Sequence, residues 1–297
     1  MAQPRNDAWA CSPWRAQALI ALPHYLSGET IPKDLEYPPW VVLHIPHDSI
    51  EIPASVRDQF LLDDAQLEAE IIRMTDHHTH ALFADSQAGA TVVRAPTNRF
   101  VVDVERFVDD EFEPMAARGM GVIYTTTSDL KPLRRQLSQD EREALLKNYY
   151  LPHHARLESA VTAALDQFDH CVVIDCHSFP GTALPYEGRP SSEVRPEICI
   201  GTDAFHTSDA LTSSFLRTFE ADGWRVALNT PFSGALVPTS RYGQDRRVKA
   251  VMIEVNRNCY LRERSRTPLP EFADVGRRIR ECCIKALEGV AASEHCQ

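Results

Sequence analysis

The sequence predicts an α/β fold on a mixed, mostly parallel sheet, and three observations predict it. Short apolar, β-branched runs that read as strands alternate with segments of helical periodicity. No internal repeat, low-complexity tract or Gly/Ser linker interrupts this alternation, and with only 12 glycines in 297 residues a single domain is favoured. Hydrophobic residues make up 43% and charged residues 25%, the proportions of an ordinary globular chain, so disorder is excluded as the main state.

The elements follow in order. Residues 1–38 mix Pro, Trp and polar residues, with one short helical pattern around Arg15 to Leu22. They read as an N-terminal extension packed on the core, with residues 39–297 forming the domain itself. Pro39 to Ile45 is an apolar run closed by Pro46, hence a buried strand. Asp63 to Phe83 carries apolar residues at helical spacing (Leu67, Ile71, Met74, Leu82), with Asp63 or Asp64 as its cap and Asp76 in its late turns. Further strands are expected at Ala90 to Arg94, Val101 to Val104, Gly121 to Tyr124, Cys171 to Cys176, Ile198 to Gly201, Trp224 to Leu228 and Ala250 to Val255. Helices are expected at Gln139 to Gln167, kinked or broken near Pro152, then at Ser208 to Ala221 and Glu271 to Val290.

Charge and hydropathy narrow the function. A formal charge of −11 with a pI near 5.5 repels phosphate backbones and anionic lipid, which disfavours nucleic-acid and membrane-surface partners. Apolar runs fall far short of the roughly 18 residues needed to cross a bilayer. The N-terminus lacks the basic start and apolar stretch of a secretory signal, and the expected location is cytoplasmic. Eight cysteines without a CxxC pair read as buried reduced thiols.

Three strand ends carry unusual polar residues: His44-Ile-Pro-His47-Asp48-Ser49, Ile174-Asp175-Cys176-His177-Ser178 and Ile253-Glu254-Val255-Asn256-Arg257. Ligands of open α/β sheets bind beyond the carboxyl ends of the strands, so these ends can converge on one site. Each histidine alone reads as a hydrogen-bonded core residue. Together His47 and His177 suggest a zinc centre, which needs a third ligand and an open position for water. Asp76 is the first choice among the polar cluster Thr75 to His80. His80 shares its helical face and stays in reserve, and Asp48 is a further alternative. Glu254 sits among apolar neighbours, where a carboxylate is either paired, for instance with Arg257, or a general base beside the water site. In Asn98 to Arg106, Arg99 and Arg106 offer forks for a carboxylate and Asp103 a brace for them, against the plainer reading of a solvated charged strand. The segments Ser178 to Glu197 and Ser240 to Arg247 are candidates for loops over the site.

In order along the chain, PHDS (46–49), TD (75–76), NRFVVDVER (98–106), LPHH (151–154), DCHS (175–178), ICIG (198–201), NTPFSG (229–234) and IEVNRNCYL (253–261) resemble the N-formylglutamate amidohydrolases. The resemblance spans roughly residues 40–262. It implies a three-layer, zinc-carboxypeptidase-like (phosphorylase/hydrolase-like) fold, its mixed sheet lying between helical layers. The implied activity is hydrolysis of the amide of an N-acylated acidic amino acid such as N-formyl-L-glutamate. Carried over by residue, the implied zinc ligands are His47, His177 and Asp76, and the implied catalytic residues are Glu254 and Arg99. Arg106, Asp103, His154, Asn229 and Gly234 are implied to face the substrate. Two departures bear on substrate: Asp48-Ser49 stands where Ser-Gly is usual, and Glu105 where an asparagine is usual. The competing readings are a zinc hydrolase of another N-acyl amino acid or γ-glutamyl peptide, and a binding protein that keeps the fold without turnover. The expected partner is a small molecule, with monomer and homodimer both open.

Overall fold

The apolar runs assemble into one six-stranded sheet among the described residues, which in this computed structural model are 36–84, 89–262 and 264–294. The strands are β1 (Val41–Ile45), β2 (Thr91–Arg94), β3 (Cys171–Phe179), β4 (Ile198–Gly201), β5 (Val226–Leu228) and β6 (Val248–Asn256). Their spatial order is β2-β1-β3-β6-β4-β5. Neighbours run parallel except β4 against β6, so the sheet is mixed and mostly parallel. Strands β1 and β3 are buried along their whole lengths, which explains why they read as continuous apolar runs rather than alternating ones.

Helices cover both faces. They are α1 (Asp64–Met74), α2 (Thr79–Phe83), α3 (Gln139–Leu145), α4 (Leu151–Phe168), α5 (Asp209–Ala221) and α6 (Phe272–Glu294). Successive strand residues point to opposite faces. Val41, Leu43, Ile174, Cys176, Val251 and Ile253 therefore share one core with Leu82 of α2, Phe215 of α5 and Ile279 of α6. Val42, Val173 and Ala250 face the other way, onto Leu157, Val161 and Leu165 of α4, which recur at i, i+4 and i+8. The result is three layers, helix–sheet–helix. Among the described residues no helix is long and apolar enough to cross a membrane, and the six described cysteines are free thiols.

Three expectations need correction. Val101 to Val104 and Gly121 to Tyr124 are turns and bends rather than strands. Their apolar residues are buried all the same, in a separate core with Leu67, Ile71 and Met74 of α1, so β-branched composition there signals burial and not a ladder. The helix expected over Asp63 to Phe83 is two helices, α1 ending at Met74 and α2 beginning after His78, which takes a left-handed conformation (φ 65°). Near Pro152 the long helix does not break. Residues Leu146–Tyr150 widen into a π turn just before it, which accommodates a ring that has no N–H to donate. The extension read over residues 1–38 lies almost wholly outside the described residues, including its helical pattern at Arg15 to Leu22.

Asp63 caps α1 in a reciprocal box with Gln66, its side chain accepting the Gln66 N–H at 2.8 Å while Gln66 Oε1 accepts the Asp63 N–H at 3.0 Å. Asp63→Ala should therefore lower stability by about 1 kcal/mol in urea unfolding; an unchanged midpoint would show that packing against the neighbouring core sets this helix end.

Candidate metal centre and active site

Strand alternation builds the site. On β3, Cys176 points into the core beneath α2, α5 and α6, while Asp175 and His177 point to the α4 face. In register, His44 of β1 lies beside Asp175, and Glu254 of β6 beside His177. His47 follows β1 directly, past Pro46. The break between α1 and α2 supplies Asp76, whose backbone N–H donates to the His47 carbonyl at 2.9 Å and so ties the break to the end of β1.

The ligand atoms of His47, Asp76 and His177 lie within 4.8 Å of one another, and all three residues are buried. Asp76 Oδ2 is 3.1 Å from His177 Nδ1 and 3.7 Å from His47 Nδ1. The far nitrogens face carboxylates: His47 Nε2 donates to Asp103 Oδ1 at 2.8 Å, and His177 Nε2 stands 3.1 Å from Asp175 Oδ1. A proton held on Nε2 would free Nδ1 as the lone pair for an ion beside Asp76, the arrangement in which a carboxylate orients a metal-binding histidine. His47 Nδ1 is buried without a hydrogen-bond partner. Two imidazole nitrogens and a carboxylate oxygen, with one nitrogen orphaned, fit a divalent transition ion. Burial alone raises the Asp76 pKa, but the hydrogen bond to His177, the nearby His47 ring and the Arg257 charge outweigh it and hold the carboxyl well below its usual range.

Of the alternatives for the third ligand, Asp48 is engaged elsewhere. Asp48 Oδ1 takes Arg94 Nε at 2.6 Å. His77 and His78 donate to the carbonyls of Ile72 (3.2 Å) and Arg266 (2.9 Å). His80 lies on the Asp48 side, its backbone N–H 3.4 Å from Asp48 Oδ2.

Glu254 is 7% exposed, and its Oε2 has no hydrogen-bond partner. Burial, only partly offset by His177, pushes its pKa up to about 8. Arg257 does not neutralise it: that guanidinium holds Asp76 Oδ1 at 3.2 Å, the Arg73 carbonyl at 2.6 Å and both Ser178 oxygens at 3.3 Å.

Asp103 braces two arginines of the site. Fully buried, it accepts from His47, from Arg99 Nη2 at 3.0 Å and from Tyr124 Oη at 2.6 Å, with Arg106 Nε 3.6 Å away. The solvated charged strand is thus not what forms. Against the raising effect of burial, His47, Arg99 and Arg106 hold the Asp103 pKa well below the carboxylate range. The Nε atoms of Arg99 and Arg106 remain buried without hydrogen-bond partners.

These groups open into a cavity of about 510 Å³ whose wall includes His47, Asp76, His177, Glu254, Arg99 and Arg106. The loop after β3 lines it through Phe179, Leu184, Tyr186 and Arg189, whereas no residue of Ser240 to Arg247 does. Four residues expected to face substrate lie outside the lining. Asp103 sits behind the arginines. His154 donates to the Val104 carbonyl at 3.0 Å and packs on Tyr150. Asn229 is bonded to Thr202, through Thr202 N at 2.9 Å and Thr202 Oγ1 at 2.9 Å. Gly234 takes a positive φ (99°) in the same loop, whose Pro231, Phe232 and Ser233 reach the cavity instead. A cysteine nucleophile is not supported, because Cys176 is buried on the opposite face and burial holds its thiol well above the usual range. Sequence reasoning missed Tyr186 in the wall and the buried His44, His153 and Asp175 behind it; only the imidazole and carboxylate inside apolar strands hinted at His44 and Asp175.

The sequence profile of the N-formylglutamate amidohydrolases matches residues 40–261, three quarters of the chain. The chain belongs to the N-formylglutamate amidohydrolase family. N-formylglutamate deformylases of Pseudomonas putida and Pseudomonas aeruginosa are each 27% identical to it. The first aligns over 232 residues (75% of this chain, 82% of that protein) and the second over 262 (85% and 92%). The crystal structure of an N-formylglutamate amidohydrolase from Ralstonia eutropha superposes with a TM-score of 0.74 at 23% identity, covering 86% of this chain and 96% of that one. A gene product of Agrobacterium tumefaciens follows at 0.59 and 18% identity, covering 88% and 94%. These structures share the three-layer fold read from the sequence. The span matched by the N-formylglutamate amidohydrolase profile contains every residue of the centre from His47 to Arg257.

Replacing Asp103 by Asn leaves two arginines without their buried counter-charge and should cost about 3–5 kcal/mol at pH 7. Because the folded pKa is depressed, that contribution is complete above the unfolded value near 4 and is lost as pH falls below it. Urea unfolding of both proteins should show a constant gap from pH 7 to about 4.5 that narrows in stronger acid; a gap that widens on acidification contradicts the assignment.

Proposed function

We propose that the protein is a metal-dependent amide hydrolase that removes the formyl group from N-formyl-L-glutamate, a small-molecule enzyme of the cytoplasm. The observation that carries this reading is the His47–Asp76–His177 cluster beside an unpartnered, buried Glu254, in a chain whose curated relatives are named deformylases. A divalent ion such as Zn²⁺ held by that cluster would polarise the acyl oxygen and acidify water in its open position.

The remaining chemistry belongs to side chains. Glu254 in its ionised form, which a cation in the cluster favours, takes a proton from the attacking water and passes it to the leaving amine nitrogen. Arg99, steadied by Asp103, turns donors toward charge growing on the acyl oxygen. Arg106 presents its fork to a substrate carboxylate. Six arginines line the cavity against four carboxylates, a local cationic excess in a chain of net charge −11, which favours a substrate with two carboxylates.

Glu105 favours a second reading. It lines the cavity as a carboxylate that can only accept hydrogen bonds when ionised, which suits another N-acyl amino acid that carries an extra donor. Comparing formyl, acetyl and succinyl derivatives of acidic and amide amino acids in one assay separates the two.

Purified protein should release formate from N-formyl-L-glutamate, lose this activity to a chelator and regain it with Zn²⁺. No release from folded, metal-loaded protein would overturn the substrate, and release that survives complete metal removal would overturn the metal. Glu254→Gln should retain the ion while turnover falls by roughly 10²–10⁴-fold; a variant of near wild-type rate would remove Glu254 from the base role.

A further inference from the structure

Behind His177, on the side away from Asp76, lies a buried polar chain that the proposed reaction leaves unused. His177 Nε2 is 3.1 Å from Asp175 Oδ1 and 3.6 Å from Glu105 Oε2. Asp175 Oδ1 also accepts from His44 Nδ1 at 2.8 Å, and Asp175 Oδ2 from the Leu236 N–H at 2.9 Å. His44 Nδ1 is 3.2 Å from Glu105 Oε1 as well. At the far end, His44 Nε2 meets His153 Nε2 of α4 at 2.8 Å. His44 and His153 are fully buried, and neither lines the cavity.

A bare nitrogen lone pair facing two carboxylates is repelled, so His44 Nδ1 carries a proton; His177 Nε2 lies beside Asp175 and Glu105 without a hydrogen bond, and their charges would favour a proton there once an ion occupied Nδ1. With its two oxygens taken by His44 and the Leu236 N–H, Asp175 is held in one plane and presents Oδ1 to His177. A histidine with its proton on Nε2 would offer Nδ1 to a bound ion in place of the hydrogen bond that Nδ1 now makes to Asp76 Oδ2.

We infer that His44, seated by His153, is a positioning residue that acts through Asp175 to hold His177 in the tautomer and ring orientation needed to bind metal through Nδ1. The inference rests on the metal centre of the proposed function, but not on its substrate. The donor that matters is the one at Nδ1. Asparagine places an N–H₂ group near that position and leucine places none, so the two substitutions separate the hydrogen bond from simple packing. Leucine suits the apolar run Val41-Val-Leu43 and Ile45 around it, and both variants are checked for fold by circular dichroism and thermal unfolding without metal.

The experiment titrates metal-free full-length protein with Zn²⁺ in competition with a chromophoric chelator, for wild type, His44→Leu and His44→Asn. One ion per chain is expected in all three. His44→Leu should bind it roughly 10–100-fold more weakly, and His44→Asn should recover most of the loss. Equal affinity in wild type and His44→Leu overturns the inference, as does a His44→Asn variant as weak as His44→Leu. A second ion in wild type that His44→Leu alone lacks also overturns it, because the His44, Asp175 and Glu105 cluster would then be a cation site in its own right. Wild-type protein that binds no Zn²⁺ removes the metal centre itself, whereas normal binding without formate release touches only the substrate.

Discussion

Buried charge must be paired, and that constraint organises this molecule. Asp76, Asp103, Asp175 and Glu254 all lie at least nine-tenths buried around the carboxyl ends of β1, β3 and β6, where isolated carboxylates would cost several kcal/mol each. Three of them are satisfied by specific cations and donors: Arg257 and His177 on Asp76, Arg99 and Tyr124 on Asp103, His44 and a backbone N–H on Asp175. Glu254 alone keeps an oxygen without a partner. The pairing requirement thus sets Glu254, the proposed general base, apart from the three carboxylates that are tied into the structure.

The same pairing bears on how the ends of three neighbouring interior strands come to present the candidate metal ligands. Period-2 alternation sends Asp175, His177 and Glu254 to one face, but it does not orient an imidazole ring. Carboxylates at the far nitrogens of His47 and His177 do that, and they come from separate parts of the chain, the 98–106 segment and β3. Asp103 joins two functions in one group, since it orients His47 and holds Arg99 and Arg106 at the cavity wall. A change there disturbs the candidate metal ligand and the two arginines together.

Much of this was legible in the sequence, and the limits have physical causes. Strands β1, β3 and β6 announce themselves because buried parallel strands are continuous apolar runs, and their polar tails mark the site. Residues 101–104 mislead for the same reason: burial selects Val whether or not a ladder forms. Asp76 could be picked from its cluster, but not placed in a helix break, since the left-handed turn at His78 carries no glycine to signal it. His154 was expected at the substrate and its neighbour His153 passed over, because adjacent residues on a helix differ by about 100° and only the packing of α4 decides which faces β1. The partner of Arg257 was equally hidden, as its contact with Asp76 spans 181 residues of sequence.

The central claim is that one divalent ion is held by His47, Asp76 and His177, with both histidines binding through Nδ1. A crystal structure of Zn²⁺-loaded protein with anomalous scattering at the zinc edge tests it directly. The account predicts one strong peak about 2.0–2.2 Å from His47 Nδ1, His177 Nδ1 and an Asp76 oxygen, with Glu254 beside its open position. A peak on Nε2 of either histidine, or at His80 or in the His44, Glu105 and Asp175 cluster with the triad empty, would contradict it.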